Sequence, residues 1–242
     1  MIAWLLAFLL LWVPGCRADA DTPIPARSRQ LLLVLTPSWQ ASEGELIRYR
    51  RAGAESPWEI AAQPIPVTLG RSGLGWGRGL HPEGLEGPAK KEGDGRAPAG
   101  VFCLSRIFGF DPEGLDAERG LPFYRLTDQS RCIDDPRSKH YNRMLEADQV
   151  ESDWKSAETM RIEPYRWGIV VDHNTDQPVP GAGSCIFLHI WESPTTPTSG
   201  CTACGEEETR DLAGWLMRDE LPVLVQLPRP AYRQLKRRWS LP

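Results

Sequence analysis

The sequence lacks both an excess of positive charge and an apolar run long enough to cross a bilayer. Its 242 residues carry 28 Lys and Arg against 32 Asp and Glu, a formal net charge of -4. This balance gives no support to a nucleic-acid-binding module, which needs clustered cations. No Gly-Lys-Ser/Thr loop and no regular strand-helix alternation is present, which argues against nucleotide binding and a doubly wound sheet.

The longest apolar run, Ile2 to Val13, has the length of a signal-peptide core. Ala18-Asp19-Ala20 offers a small-x-small cleavage site behind it. We therefore expect residues 1–20 to be a signal peptide, removed on export to the periplasm or cell envelope, and residues 21–30 to be a linker. Val13-Pro14-Gly15-Cys16 also resembles a lipobox, so a lipid anchor at Cys16 is the alternative.

Short segments rich in β-branched and aromatic residues, bounded by Gly, Pro, Asp or Asn, predict most of the secondary structure. Strands are expected at 31–36, 45–51, 58–61, 66–69, 101–107, 122–127, 168–171, 185–191 and 222–227. One helix is expected at 206–218, and a smaller one near 142–150. The prediction is a mainly β chain, a single β-rich sandwich or barrel domain over residues 31–228 with a few short helices. The basic tail at 229–242 is expected to be a solvated or helical cap rather than a contact for anionic lipid.

The cysteines fit an oxidising compartment. If Cys16 leaves with the signal, five of the six remain, an odd number that predicts one free thiol and up to two disulfides. The free thiol is expected to be Cys201. The connectivity stays open among Cys103, Cys132, Cys185 and Cys204.

A cysteine on a tight turn follows a histidine on an apolar strand. The turn is Pro197-Thr198-Ser199-Gly200-Cys201, and the strand is Phe187-Leu188-His189-Ile190-Trp191. Alternation places Cys185, Phe187, His189 and Trp191 on one face. A thiol beside an imidazole is the arrangement of a cysteine nucleophile and its base, which predicts acyl transfer.

Two features of the backbone are expected to assist this pair. The dipole of the helix that follows Cys201 would favour a thiolate, and backbone amides near Gly200 and Cys201 would form an oxyanion hole. The Gly-rich stretch from Gly70 to Gly100 is interpreted as long surface loops with positive-φ turns, or alternatively as a wall of the substrate channel.

At these residues the chain resembles the L,D-transpeptidase family with its YkuD-type catalytic domain. The family motif is a strand histidine followed by a Ser/Thr-x-Gly-Cys turn, here His189 and Thr198-Ser199-Gly200-Cys201. The resemblance covers roughly residues 64 to 220. It extends, in the pattern of one branch, to Glu92-Gly93-Asp94-Gly95-Arg96-Ala97-Pro98-Ala99-Gly100-Val101-Phe102, to Trp167-Gly168-Ile169-Val170-Val171-Asp172-His173-Asn174 and to Phe187-Leu188-His189-Ile190-Trp191.

The resemblance implies an acyltransferase that acts on peptidoglycan stem peptides and needs neither a metal nor an organic cofactor. Cys201 would attack the carbonyl at the L-centre of diaminopimelate, or of a similar diamino acid, in a stem tetrapeptide. His189 would carry the proton to the leaving D-alanine. An amine would resolve the thioester to a cross-link, and water would give an L,D-carboxypeptidase or endopeptidase.

The sequence also departs from the family pattern. Many members have a second histidine where this chain has Ser199 and an arginine where it has Ala203, and the spacing from histidine to cysteine is shorter here. The guanidinium that would hold the substrate carboxylate is thus missing, and Arg96 is the candidate substitute. The expected substrate-binding residues are Ser199, Gly200, Trp191, Arg96 and Asp172. A backbone carbonyl is expected to orient His189, with Asp172 as the alternative.

Three other interpretations start from the same residues. Cys201-Thr202-Ala203-Cys204 is a CxxC, the motif of thiol-disulfide oxidoreductases. Zinc ligands are available in Cys201, Cys204, His189 and His173. The third is a catalytically inactive wall-binding module. Because a Cys201–Cys204 disulfide would disable acyl transfer, Cys204 is expected to pair elsewhere, with Cys185 as the candidate partner.

Overall fold

The computed structural model describes residues 16–19 and 22–242, so the apolar run of the expected signal peptide lies outside the described residues. Within them, the strands are β1 Gln30–Thr36, β2 Glu43–Arg50, β3 Glu59–Ile60, β4 Ile65–Thr68, β5 Leu74–Trp76, β6 Ala97–Gly109, β7 Phe123–Arg125, β8 Ser130–Cys132, β9 Met144–Glu146, β10 Glu158–Thr159, β11 Trp167–Val171, β12 Phe187–Ile190, β13 Thr202–Cys204 and β14 Val223–Pro228. The helices are α1 Glu206–Trp215 and α2 Arg229–Leu235, with 3-10 turns at Ala147–Gln149, Glu163–Tyr165 and Arg218–Glu220. In this part of the chain, every helix falls short of the length and apolar character needed to span a bilayer.

Eight of the described strands close into a barrel, which confirms the mainly β prediction. Their order is β1-β14-β6-β11-β12-β13-β4-β2, and β2 pairs back with β1. Strand β1 pairs with β14 and β2 at its edges, and all of it is buried because its faces pack into different cores. Leu32 and Val34 pack into the main core, and Leu31, Leu33 and Leu35 into a second core. A strand covered on both faces is a continuous apolar run, here Leu31 to Leu35, rather than an alternating one.

The C-terminal segment completes the second apolar core. Leu235 and Trp239 are buried against β1 and β14, and Trp239 is only 1% exposed. The cations Arg233, Lys236 and Arg237 point to solvent. The expected helical cap is therefore present as α2, and it belongs to the packed domain.

The helix expected near 142–150 is wrong. The segment forms β9 and a short 3-10 turn instead. Glu146 accepts hydrogen bonds from the hydroxyls of Tyr124, Thr127 and Ser130, and it lies opposite Ser130 in the ladder with β8. These pairings across strands outweigh the local helix propensity.

Two disulfides are present in the described residues, Cys16–Cys103 and Cys132–Cys185. Bonds of this kind form in an oxidising compartment, so the expectation of export is confirmed at that level. Pairing of Cys204 with Cys185 is wrong, because Cys132 occupies that position. The Cys16 disulfide also conflicts with both expectations for the N-terminus: cleavage after Ala20 would remove Cys16, and lipidation would consume its thiol.

Candidate active site

A cleft of about 530 Å³ opens beside β12 and the turn that leads into β13. Cys201 and His189 both line it, together with Ser199, Gly200 and Trp191. Lys90 and Glu92 line it as well. The Gly-rich stretch is therefore more than a set of surface loops, because part of it forms a wall of this cleft.

The register of two parallel strands places the thiol and the imidazole on the same face of the sheet. His189 on β12 lies opposite Ala203 on β13, so continuing the register two residues toward the start of both strands places Cys201 opposite Phe187. The Phe187 N–H donates to Cys201 Sγ at 3.3 Å, and the thiol donates to the Cys185 carbonyl at 3.5 Å. Because side chains repeat with period two, Cys201 and His189 share a face and are diagonal neighbours.

A backbone carbonyl orients His189, as expected. Nδ1 lies 2.8 Å from the carbonyl oxygen of Ile190. That oxygen can only accept, so Nδ1 carries the hydrogen and, in the neutral ring, Nε2 is the free base.

Burial keeps both members of the pair uncharged at rest. It lowers the pKa of His189 to about 4, which the hydrogen bond with Ile190 only partly opposes. It raises the pKa of Cys201 to about 12, and the negative charge of Glu158 adds to that shift. A thiolate at Cys201 would therefore need a base to take its proton, and Nε2 of His189 is the unprotonated ring nitrogen on the same face.

The raised thiol pKa predicts how Cys201 responds to alkylation. The thiolate is the attacking species, and its fraction rises about tenfold per pH unit below the pKa. We expect the rate of iodoacetamide labelling at Cys201 to keep rising between pH 6 and pH 10, where an ordinary thiol levels off near pH 9. Peptide mass spectrometry of Cys201 across this range measures it, and a plateau near neutral pH would contradict the assignment of a resting thiol.

Tyr165 and Glu158 are site residues that the sequence did not indicate. The Tyr165 ring meets His189 edge to face, with centroids 5.2 Å apart. Its hydroxyl donates to Glu158 Oε2 at 3.0 Å. Both residues line the cleft. They lie on a 3-10 turn and a two-residue strand, where no periodic pattern marks them.

The turn before Cys201 has its own internal bonds. Gly200 has φ +154, and a Cβ there would lie 3.0 Å from the Arg96 carbonyl oxygen, so the position requires glycine. The Gly200 N–H donates to Thr198 Oγ1 at 3.1 Å. The expectation that this amide forms the oxyanion hole is therefore wrong for the resting turn.

Neither Arg96 nor Asp172 lines the cleft, so their expected roles are corrected. Arg96 Nη1 donates to the carbonyls of Ser72 and Leu74 at 2.7 and 2.8 Å, which commits the guanidinium to the fold. Asp172 accepts from Ser105 at 2.6 Å and lines other cavities, where burial raises its pKa to about 6. Neither residue touches the substrate space or orients His189.

The cleft obtains its guanidinium from Arg71. This exposed side chain donates from Nη1 to Ser199 Oγ at 3.2 Å, directly beside the Cys201 turn. The other cation on the cleft, Lys90, is buried and paired with Asp94 at 2.7 Å. An arginine isolated in the Gly70-Arg71-Ser72-Gly73 turn was the signal available in the sequence.

The two thiols of the CxxC are not bonded to each other and lie on opposite faces of the chain. The second half of the motif lies on β13, where residues three apart point to opposite faces. Cys201 packs with Cys132, Cys185 and Phe187, whereas Cys204 is fully buried in the main core. A bond between the two thiols would need the strand to rebuild.

The structure also bears on the expectations for helix α1, for His173 and for a zinc site. Helix α1 begins at Glu206 and packs Leu212 into the core that holds Cys204, whereas Cys201 packs in a different cluster. The effect of the helix dipole on a thiolate at Cys201 stays a prediction. His173 is buried and bonded through both ring nitrogens, to the Arg78 amide and the Ala182 carbonyl. In the described residues, no group of three or more potential metal ligands is assembled.

Comparison with protein-family models, with curated proteins and with solved structures gave no match. Function is therefore inferred from the residues and the geometry of the cleft.

Proposed function

We propose that the chain is a cysteine-dependent acyltransferase of the L,D-transpeptidase type, which acts on peptidoglycan stem peptides in the periplasm or cell envelope. One observation carries the proposal: a free thiol, Cys201, shares a face and a cleft with the imidazole of His189, whose Nε2 is left as a base. The family resemblance of the surrounding motifs supplies the substrate class.

The chemistry follows from the resting state. Nε2 takes the thiol proton as Sγ attacks the substrate carbonyl, and the C–S bond forms while the carbonyl electrons move onto oxygen. Collapse of the tetrahedral intermediate breaks the C–N bond, and the imidazolium returns the proton to the leaving amine. An amine or a water molecule then attacks the thioester while Nε2 takes its proton, the C–S bond breaks, and the imidazolium returns the proton to the Cys201 sulfur. The same pair thus serves cross-linking and hydrolysis.

Arg71 is the residue that we assign to the substrate carboxylate. It reaches the cleft from a chain segment far from Cys201 in sequence, and its Ser199 contact places the guanidinium at the rim beside the nucleophile. A guanidinium can bind a carboxylate through two parallel hydrogen bonds. In this proposal it takes the place of the arginine that the family pattern has at Ala203.

The test is mass spectrometry of the protein and its products together. The chain is incubated with stem tetrapeptides that end in D-alanine, and the reaction is quenched in acid. We expect a covalent adduct on the Cys201 peptide with the mass of the tetrapeptide less D-alanine, and release of D-alanine. Peptide dimers then identify an amine acceptor and tripeptides identify water. Absence of both adduct and released D-alanine would overturn the proposal.

A further inference from the structure

A hydrogen bond and the packing of one aromatic ring hold the imidazole of His189 in its orientation. A single hydrogen bond, to Ile190, holds its Nδ1 edge. The ring of Tyr165 packs against it at an interplanar angle of 81°. The Tyr165 ring therefore limits how far the imidazole can pivot about its Nδ1 hydrogen bond.

The Tyr165 ring is in turn fixed by aromatic packing and by one acidic side chain. Phe108 and Phe187 meet it edge to face at 5.7 and 5.6 Å. Its hydroxyl is buried and donates to Glu158. Without that acceptor, a buried hydroxyl would lack a partner and the ring would shift toward water.

Glu158 is anchored to the nucleophile through a disulfide. It lies directly opposite Cys132 in the β8–β10 ladder. Cys132 is bonded to Cys185, whose carbonyl accepts the hydrogen of the Cys201 thiol. One continuous set of contacts therefore connects the base to the nucleophile by a route outside the β12–β13 pair.

We infer that Glu158 is a positioning residue for His189: by accepting the Tyr165 hydroxyl, it fixes the ring that holds the imidazole toward Cys201. The inference deepens the proposed function, on which it rests for the role of His189 as base. The carboxylate acts through Tyr165 and takes no proton from substrate.

The alternative role for Glu158 is direct proton transfer. Burial raises its pKa to about 7, a value suited to a general acid or base, and the side chain faces the cleft. Substitution by glutamine separates the two roles. The Gln side-chain oxygen still accepts from Tyr165, but the amide can neither hold nor release the proton.

Nuclear magnetic resonance of the imidazole groups tests the positioning directly, in the whole protein and without substrate. The sequence has only four histidines, so each signal can be assigned. We expect Glu158→Ala and Tyr165→Phe to shift the His189 carbon and proton resonances, and Glu158→Gln to leave them in place. The signals of His81 and His173, which are buried elsewhere, report that each variant is folded.

Turnover provides the second measurement. We expect kcat on the stem tetrapeptide to fall about tenfold in Glu158→Ala and in Tyr165→Phe. The kcat of the double variant should be no lower than that of either single variant, because both changes remove the same hydrogen bond. Glu158→Gln should stay within about twofold of the parent. A glutamine variant as impaired as the alanine variant, or unchanged His189 signals in both single variants, would overturn the inference.

The two measurements also keep this inference separate from the proposed function. If the His189 signals follow the expected pattern while no tetrapeptide is turned over, the positioning role stands and the transpeptidase assignment fails. If turnover occurs but the signals do not follow it, the function stands and the role of Glu158 fails.

Discussion

Replacing Cys201 with alanine is expected to abolish acyl transfer, by on the order of 10⁴-fold or more in kcat. The covalent step has no other accessible thiol to use: the described residues include all six cysteines, and among them the other free one, Cys204, is fully buried in the main core. Without the sulfur, His189 has no proton to accept and the cleft can only bind. Release of D-alanine from the stem tetrapeptide measures the loss.

Cys204→Ala is the matched control for that result. It removes the same atom three residues away, on the opposite face of β13. We expect turnover within about twofold of the parent, and a modest loss of stability from the small cavity beside Thr209. An equal loss of activity in the folded Cys204→Ala protein would contradict acyl transfer by Cys201 alone and favour chemistry that uses both thiols.

Removal of the Cys132–Cys185 disulfide is expected to lower both stability and activity. The two cysteines are 53 residues apart, and loop-closure entropy alone gives a loss of about 4 kcal/mol in the free energy of unfolding. Activity should fall because the bond ties β8, the strand that pairs with Glu158, to Cys185, whose carbonyl accepts from the Cys201 thiol. Urea unfolding of Cys132→Ala/Cys185→Ala measures the first effect, and tetrapeptide turnover at a temperature where the variant is folded measures the second.

The Cys16–Cys103 disulfide separates these two effects. Its sequence separation is 87 residues, so the same entropy argument predicts a similar loss of stability in Cys16→Ala/Cys103→Ala. Cys103 lies on β6 beside a different cavity, away from Cys201. We expect kcat to be unchanged in that variant. A parallel fall of kcat in both variants would show that the loss follows stability alone.

The barrel could be predicted from the sequence because its strands bury long apolar segments. The short apolar segments Leu31 to Leu35 and Val223 to Leu227 favour buried strands, and both are buried in the sheet. The segment near 142–150 misled because its local composition suits a helix. The carboxylate of Glu146 accepts from three hydroxyls on neighbouring segments, and these contacts favour the strand. Such partners are distant in sequence, so a local pattern does not reveal them.

The reactive pair could be predicted from the sequence, whereas the residues around it could not. His189 and Cys201 could be predicted because the motif that marks them lies within one short stretch. Arg71 and Glu158 reach the cleft from segments well before it, and folding alone brings them there. Arg96 misled for a related reason: its place in a Gly-rich motif suggested substrate, while its guanidinium satisfies backbone carbonyls that the loop leaves open.

The parallel pairing of β12 and β13 has a consequence for access. Parallel neighbours must be joined by a crossover, commonly of a dozen residues or more, and the segment between Ile190 and Thr202 is close to that lower limit. Its residues Trp191, Thr196 and Ser199 line the cleft, so the length of this crossover sets how much of the chain borders the opening. A longer crossover would cover more of the cleft opening. The spacing of the thiol and the imidazole would stay the same, because the register of β12 and β13 sets it.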